Sequence, residues 1–310
     1  MSSESYSDVA FTTAVPFTDD GADVRYDALG ENLEALFEAG ARLFIPCGNT
    51  GEYYALSDEE RVRIVRTHVE VTGSEATVVG GVAGSLPTVG SLARAYEEAG
   101  ADALMVMHPD HTYLHEDGLR EYYHAICDLT DLDVVVYKRG PEVTRGVLTD
   151  LTEREEVAAV KFAVNDVKEF AQSVADADGE VTWLNGIAER FALSYAVEGA
   201  EGFTTGVGNF APRATLALFD AIEAGDWDRA REIQRAVRSF EDLREESGSD
   251  NVLSAANNVP AVKYGMELAG YHGGPVRPPL TDLSEADRAR AEECYERIRS
   301  VVDPVDAEAT

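Results

Sequence analysis

The run VAAVKFAVND, residues 157–166, sets Lys161 in the middle of an apolar stretch. In water a lysine amine has a pKa near 10.4 and carries its proton at neutral pH. Burial disfavours the charged form, and a neutral amine is a nucleophile toward carbonyl carbon, giving a Schiff base. The bland alternative is a lysine that snorkels from a strand end or pairs with a core carboxylate. No acid stands within the apolar run, and Asp166 follows five residues on. Lysine is scarce in this chain: the others are Lys138, Lys168 and Lys263, and arginine supplies the remaining positive charge.

Tyr137 lies near the end of the preceding apolar run, DVVVYKR (133–139). Neighbouring strands lie about 4.8 Å apart, so two adjacent strand ends can set Tyr137 beside Lys161. A phenol there relays protons to a bound carbonyl adduct, or it is a core tyrosine with a satisfied hydroxyl. CGNTGE (47–52) brackets Asn49 and Thr50 with Gly48 and Gly51, just before a helix pattern. Exposed N–H groups in such a turn suit a carboxylate or phosphate, although any tight turn uses glycine. HPDHTYLH (108–115) offers His108, His111 and His115 as metal ligands for a metal-dependent lyase. One loop rarely supplies a whole ligand set, and His124 falls in a helix pattern, so the expected metal content is none.

These residues need a scaffold that brings strand ends together. Short β-rich runs occur at 9–15, 43–48, 76–84, 101–109, 133–139, 157–163, 182–187 and 202–207. Their length and β-branched content fit strands buried on both faces. Amphipathic stretches separate them. YDALGENLEALFEAG (26–40) repeats Leu29, Leu33, Leu36 and Phe37 at helical spacing. SDEERVRIVRTHVEVTG (57–73) opens on the N-cap Ser57 with acids in its first turn, and TVGSLARAYEEAG (88–100) closes on a C-cap glycine. Alternating βα units of this kind predict an α/β fold, a (β/α)8 barrel. The barrel is expected over 1–211, a C-terminal helical extension over 212–303, packed on the barrel or on a neighbouring subunit, and a frayed tail over 304–310.

Barrel sites collect where strands end and βα loops begin. That rule adds Arg139, Asn185, Gly186, Glu189, Thr204 and Asn209 as weaker candidates for the distal end of a substrate, with His111 after strand four. Arg139 suits a second carboxylate through a two-point contact, or is a surface arginine. Lys138 precedes it and, by strand alternation, is expected on the opposite face.

The net charge of −32 argues against nucleic acid, whose binders carry a basic patch, and against anionic membranes. No run approaches the ~20 apolar residues of a membrane span, and MSSESYSDVA lacks signal-peptide character. Acidic composition with little lysine predicts a cytoplasm of high ionic strength, where molar salt shortens the Debye length to about 3 Å. Cys47, Cys127 and Cys294 form neither a disulfide framework nor a CxxC metal spacing.

Taken together, GNTGE (48–52), VVYKR with Tyr137, VKFAVND with Lys161 and VRPPLTDLSE (276–285) resemble the dihydrodipicolinate synthase/N-acetylneuraminate lyase family over roughly residues 9–300. The resemblance implies that Lys161 is the Schiff-base lysine and Tyr137 the proton-shuttling tyrosine. It implies that Asn49 and Thr50 hold a 2-oxo acid carboxylate, largely through backbone N–H groups. It also implies a homotetramer arranged as a dimer of dimers, with no metal and no organic cofactor. GEYYALS (51–57), VVVYKRG (134–140), GVGNFAP (206–212) and AGYHGGPVRPPLTDL (269–283) are similar to segments of 5-dehydro-4-deoxyglucarate dehydratases. Lys138 stands where that branch usually has asparagine, and Phe162 where it has aspartate. Related 2-keto-3-deoxy sugar acid aldolases share the lysine and tyrosine. The synthase branch usually has an arginine five residues after the tyrosine; here Glu142 stands there, with Arg145 nearby. It also tends to carry a tyrosine pair where Asp110 and His111 stand.

Overall fold

The computed structural model describes residues 5–109 and 111–302; Asp110 and the 304–310 tail lie outside the described residues. Eight parallel strands close into a barrel in sequence order. They are β1 (Val9–Phe11), β2 (Leu43–Phe44), β3 (Thr77–Val82), β4 (Ala103–Met107), β5 (Asp133–Lys138), β6 (Val157–Phe162), β7 (Thr182–Asn185) and β8 (Gly202–Thr205). The seam is β1 against β8, with Ala10 opposite Thr204 and Phe11 opposite Thr205. The strands are buried on both faces along nearly their whole length, as the apolar runs require.

Barrel helices follow each strand: α1 (Tyr26–Ala39), α2 (Asp58–Thr72), α3 (Leu86–Ala99), α4 (Glu116–Cys127), α5 (Arg145–Thr152), α6 (Val167–Asp176), α7 (Ala192–Val197) and α8 (Pro212–Glu223). α8 follows β8 and packs on β1 and α1, so it completes the ring of barrel helices. Beyond it run α9 (Trp227–Glu245), α10 (Asn258–Leu268) and α11 (Glu285–Val302). The start of α2 is a reciprocal cap: Ser57 Oγ accepts from Glu60 N, and Glu60 Oε2 accepts from Ser57 N. Gly100 closes α3 with φ +90°, a backbone angle that suits glycine.

Two strands stop furthest short of the ends of their apolar runs. β1 stops at Phe11 and β2 at Phe44, although Thr12 N still reaches Thr205 O and Ile45 N reaches Phe11 O. Pro46 then has no N–H to donate and Cys47 turns at φ +57°. The chain leaves the sheet there, and the residues beyond it form the loops above the barrel.

Candidate active site

β5 and β6 pair in register with Tyr137 opposite Lys161. Alternation sends both side chains inward, and the Lys161 nitrogen stands 4.3 Å from the Tyr137 ring centroid. Lys161 is 3% exposed. Burial, with the Arg139 guanidinium as a second cause, pulls its pKa down to about 7. Burial also pushes the Tyr137 phenol up, opposed by Arg139 and by a hydrogen bond from Asn49. That bond runs from Asn49 Nδ2 to Tyr137 Oη at 3.2 Å. The phenol oxygen is thus an acceptor toward Asn49, and its own proton is left for the cavity side.

Above these residues opens a cavity of about 630 Å³. Among the residues expected to form a site, Lys161, Tyr137 and Arg139 line it, as do Asn49 and Thr50. Gly186 and Thr204, just after β7 and within β8, line it as well. The Asn49–Glu52 turn is closed by Glu52 N on Asn49 O and Tyr53 N on Gly48 O. Among the described residues, the N–H groups of Thr50 and Gly51 have no partner. Thr50 Oγ1 is hydrogen-bonded to Thr12 Oγ1, which also bonds the Thr205 carbonyl at 2.6 Å. Among the described residues, buried Asn49 Oδ1 has no partner.

Five expected residues, Gly48, Asn185, His111, Glu189 and Asn209, are not among those lining the cavity. Gly48 lies beneath the turn, facing Met105 and Ile45. Asn185 is fully buried and braces the β7 loop, donating to Ala188 O and accepting from Ile187 N. His111 is exposed, its Nδ1 against the Tyr113 backbone. The loop histidines diverge: His108 faces Glu142 at 3.6 Å and His115 caps α4 through Asp117 N. No group of three or more histidine, cysteine, aspartate or glutamate side chains converges on a metal-sized site among the described residues. Asn209 ties the ends of β1 and β8, accepting from Ala14 N and donating to Thr12 O. Cys47 is buried, and burial pushes its thiol up to about 12, away from thiolate chemistry.

Phe162 and Lys138 leave the site altogether. Phe162 points outward and meets Phe170 edge to face, with centroids 5.3 Å apart. It does not touch the cavity, so a substrate difference cannot be read from that position. Lys138 points outward too, to Glu169 Oε1 at 3.0 Å and the carbonyls of Gly140 and Val143.

The C-terminal extension, besides packing on the barrel, contributes to the cavity, which its sequence pattern does not announce. Glu241, Arg244 and Glu245 of α9, Asn258 of α10, and Arg277 form one side of the cavity. The turn at 48–52 is tied to the same region. Buried Glu52 pairs with Lys263 Nζ at 2.6 Å and accepts from Arg277 N at 2.8 Å. Next to β8, buried Glu189 accepts from Thr205 and Thr215 Oγ1. Burial, and then the nearby Glu241 charge, raise Glu189 to about 7. Amphipathic α9 is crowded with charge, so nothing in its pattern marks Arg244 as inward.

Among the described residues no helix is long and apolar enough to cross a membrane. The model of the dihydrodipicolinate synthetase family matches residues 6–297. A probable 5-dehydro-4-deoxyglucarate dehydratase of Methylobacterium radiotolerans is 31% identical over 281 residues, covering 88% of this chain and 90% of that one. An uncharacterized DapA-like lyase of Halobacterium salinarum is 32% identical, covering 86% of each. The crystal structure of dihydrodipicolinate synthase from Oceanobacillus iheyensis superposes with a TM-score of 0.90 at 31% identity, covering 95% of this chain and 97% of that one. The barrel, the extension and these similarities place the chain in the dihydrodipicolinate synthetase family of lyases.

Proposed function

We propose that this protein is a Schiff-base-forming lyase acting on a 2-keto-3-deoxy sugar acid. The observation that carries the reading is Lys161: a buried amine at the base of a cavity and against a tyrosine, with burial pulling its pKa down to about 7. Its nitrogen attacks the C2 ketone, and the carbinolamine loses water to give an iminium. The iminium accepts the electron pair when C3 loses a proton. In dehydration the resulting enamine expels the C4 hydroxyl as water. In retro-aldol cleavage the C4 hydroxyl loses its proton, the C3–C4 bond breaks, and the enamine is protonated and hydrolysed to pyruvate. In both, Tyr137 moves the proton on oxygen, oriented by Asn49. Asn49 and Thr50, which line the cavity, hold the C1 carboxylate, largely through backbone N–H groups.

Dehydration is favoured by the similarity to proteins named 5-dehydro-4-deoxyglucarate dehydratases. The alternative is 4-hydroxy-tetrahydrodipicolinate synthase, from pyruvate and aspartate semialdehyde. Arg145, which would have to grip the second substrate, turns instead to Asp176 and Gln172. The reading implies a soluble cytoplasmic homotetramer working in high salt without a metal.

Borohydride reduction in the presence of pyruvate tests it. A mass increase on Lys161, absent in K161A, supports the reading; the lack of any adduct at every salt concentration overturns it. Products from 5-keto-4-deoxyglucarate, 2-keto-3-deoxygluconate, and aspartate semialdehyde with pyruvate then separate the branches.

A further inference from the structure

Three arginines line the cavity, and their hydrogen bonds set them apart. Arg277 has spent all its donors. Nε goes to Gly21 O, Nη1 to Ala55 O and Glu60 Oε2, and Nη2 to Ala22 O and Glu60 Oε1. Arg139 is an exposed rim residue after β5. Arg244 differs from both: it is 6% exposed and held on two sides by the extension. Nη1 donates to Glu241 Oε1 at 2.5 Å, Nη2 to Asn258 Oδ1 at 3.0 Å, and Nε to Asn258 O at 3.4 Å. A guanidinium has five N–H groups, so one on each terminal nitrogen has no partner among the described residues.

The position of this guanidinium depends on Gly206, just after β8. A methyl at Gly206 would stand 2.5 Å from Nη2 and 2.6 Å from Cζ and Nη1. Only a residue without a side chain lets the guanidinium lie against the backbone there. β8 is two strands from β6, roughly 10 Å at the usual spacing. A six-carbon chain joined to Lys161 through C2 bridges that span with its far end, once hydrogen-bond lengths are added. The carboxylates that share the wall already have partners: Glu241 on Arg244 and Glu245 on Arg190.

We propose that Arg244, admitted by Gly206 and held by Glu241 and Asn258, receives the terminal carboxylate of a dicarboxylic substrate and so selects keto-aldarates over keto-aldonates. The carboxylate accepts the two unpaired N–H groups. This places the specificity of the site in the C-terminal extension rather than in Arg139 on the barrel rim. The proposal deepens the keto-acid lyase reading, but it rests on cavity geometry that can be measured without turnover.

The test is calorimetric binding, in molar KCl, of D-glucarate and D-gluconate, which differ only at the terminal carbon and lack the reactive ketone. Wild type should bind glucarate about 10- to 100-fold more tightly than gluconate, the range for a charged hydrogen-bonded contact. The ratio should fall toward one in R244Q. Because R244Q leaves Glu241 buried without its partner, E241Q/R244Q serves as a second variant. G206A, which retains the charge but displaces it, should also lose the preference. Equal binding by wild type, or a preference kept by E241Q/R244Q and by G206A, overturns the proposal. Borohydride trapping on the same preparations separates the two readings. Trapping without an Arg244-dependent preference removes this inference alone. The preference without trapping removes the lyase reading alone.

Discussion

Tyr137 and Lys161 are register partners on neighbouring strands, and the lysine nitrogen lies over the phenol ring, 4.3 Å from its centroid. The ring face shields the amine from water while the hydroxyl, bonded to Asn49, reaches past it. A ring face attracts an ammonium, whereas burial and the Arg139 charge act the other way and favour the neutral amine. The two parts of the tyrosine can be separated. Y137F keeps the ring and loses the proton carrier. Its turnover should fall about 10²–10⁴-fold, while borohydride with pyruvate still labels Lys161. A Y137F enzyme with near-normal turnover would show that another group moves the proton.

The Arg139 charge acts on the same amine at longer range. Lys161 is protonated and unreactive below about pH 7 and neutral above it, so imine formation with pyruvate should rise through pH 7 and level off. Removing a nearby positive charge makes protonation easier and raises the amine's pKa. In R139Q the rise should therefore move to higher pH, with slower imine formation than wild type at pH 6.5 and similar rates on the alkaline plateau. Pre-steady-state kinetics with pyruvate measure this directly. A half-rise that stays in place would remove Arg139 from the electrostatics of the site.

Lys138 offers the converse case, a buried lysine without chemistry. Its ammonium spends three donors on Glu169, Gly140 O and Val143 O, on the outer face of β5. E169A should destabilise the protein by about 1–3 kcal/mol, less than for a wholly buried pair because Glu169 is partly solvated. K138M should unfold earlier in denaturant than wild type yet keep full pyruvate trapping. Folded K138M that fails to trap would place Lys138 in the reaction.

The barrel and its reactive pair were legible because they follow from local rules. Apolar runs of strand length alternate with helix patterns, and a strand-end lysine and tyrosine on successive strands must meet when the strands pair in sequence order. Asn185 and His111 were harder, because residue type says nothing about which partner satisfies a side chain. Asn185 spends its amide on its own loop. Arg244 was out of reach. It stands some eighty residues beyond Lys161, among many helix charges, and faces inward only because the extension folds over the barrel mouth. Lysine scarcity also acquires a physical meaning: Lys138, Lys161 and Lys263 are buried and Lys168 is exposed. The surface avoids lysine, while the interior keeps it for specific partners.

Glu189 predicts a pH dependence of stability. In the fold its pKa stands at about 7, above the ordinary value near 4.3 that it regains on unfolding. Between those values the folded state holds a proton that the unfolded chain has lost, so this residue's contribution to stability falls as pH rises from about 4.3 to 7. Such a shift corresponds to a loss on the order of 4 kcal/mol. E189Q carries no such proton, so its melting temperature should fall less than that of wild type over the same range. Parallel melting curves for the two proteins would show that Glu189 is ionised in the fold throughout.

The net charge of −32 sets the last expectation. Carboxylates crowded on a folded surface repel one another and destabilise the compact state. The repulsion acts over the Debye length, about 10 Å at 0.1 M salt and 3 Å at 1 M, so added salt should relieve it steeply at first and then less. The melting temperature should rise by several degrees from 0.1 to 1 M KCl and by less from 1 to 2 M. Lys161 and Tyr137 are buried at the base of the cavity, away from the acidic surface, so the cavity should respond less. Pyruvate trapping per folded molecule should change little over the range in which stability climbs. A melting temperature independent of KCl would mean that the acidic surface is neutralised within the fold. Trapping that collapses at low salt while the protein stays folded would place the salt effect in the site itself.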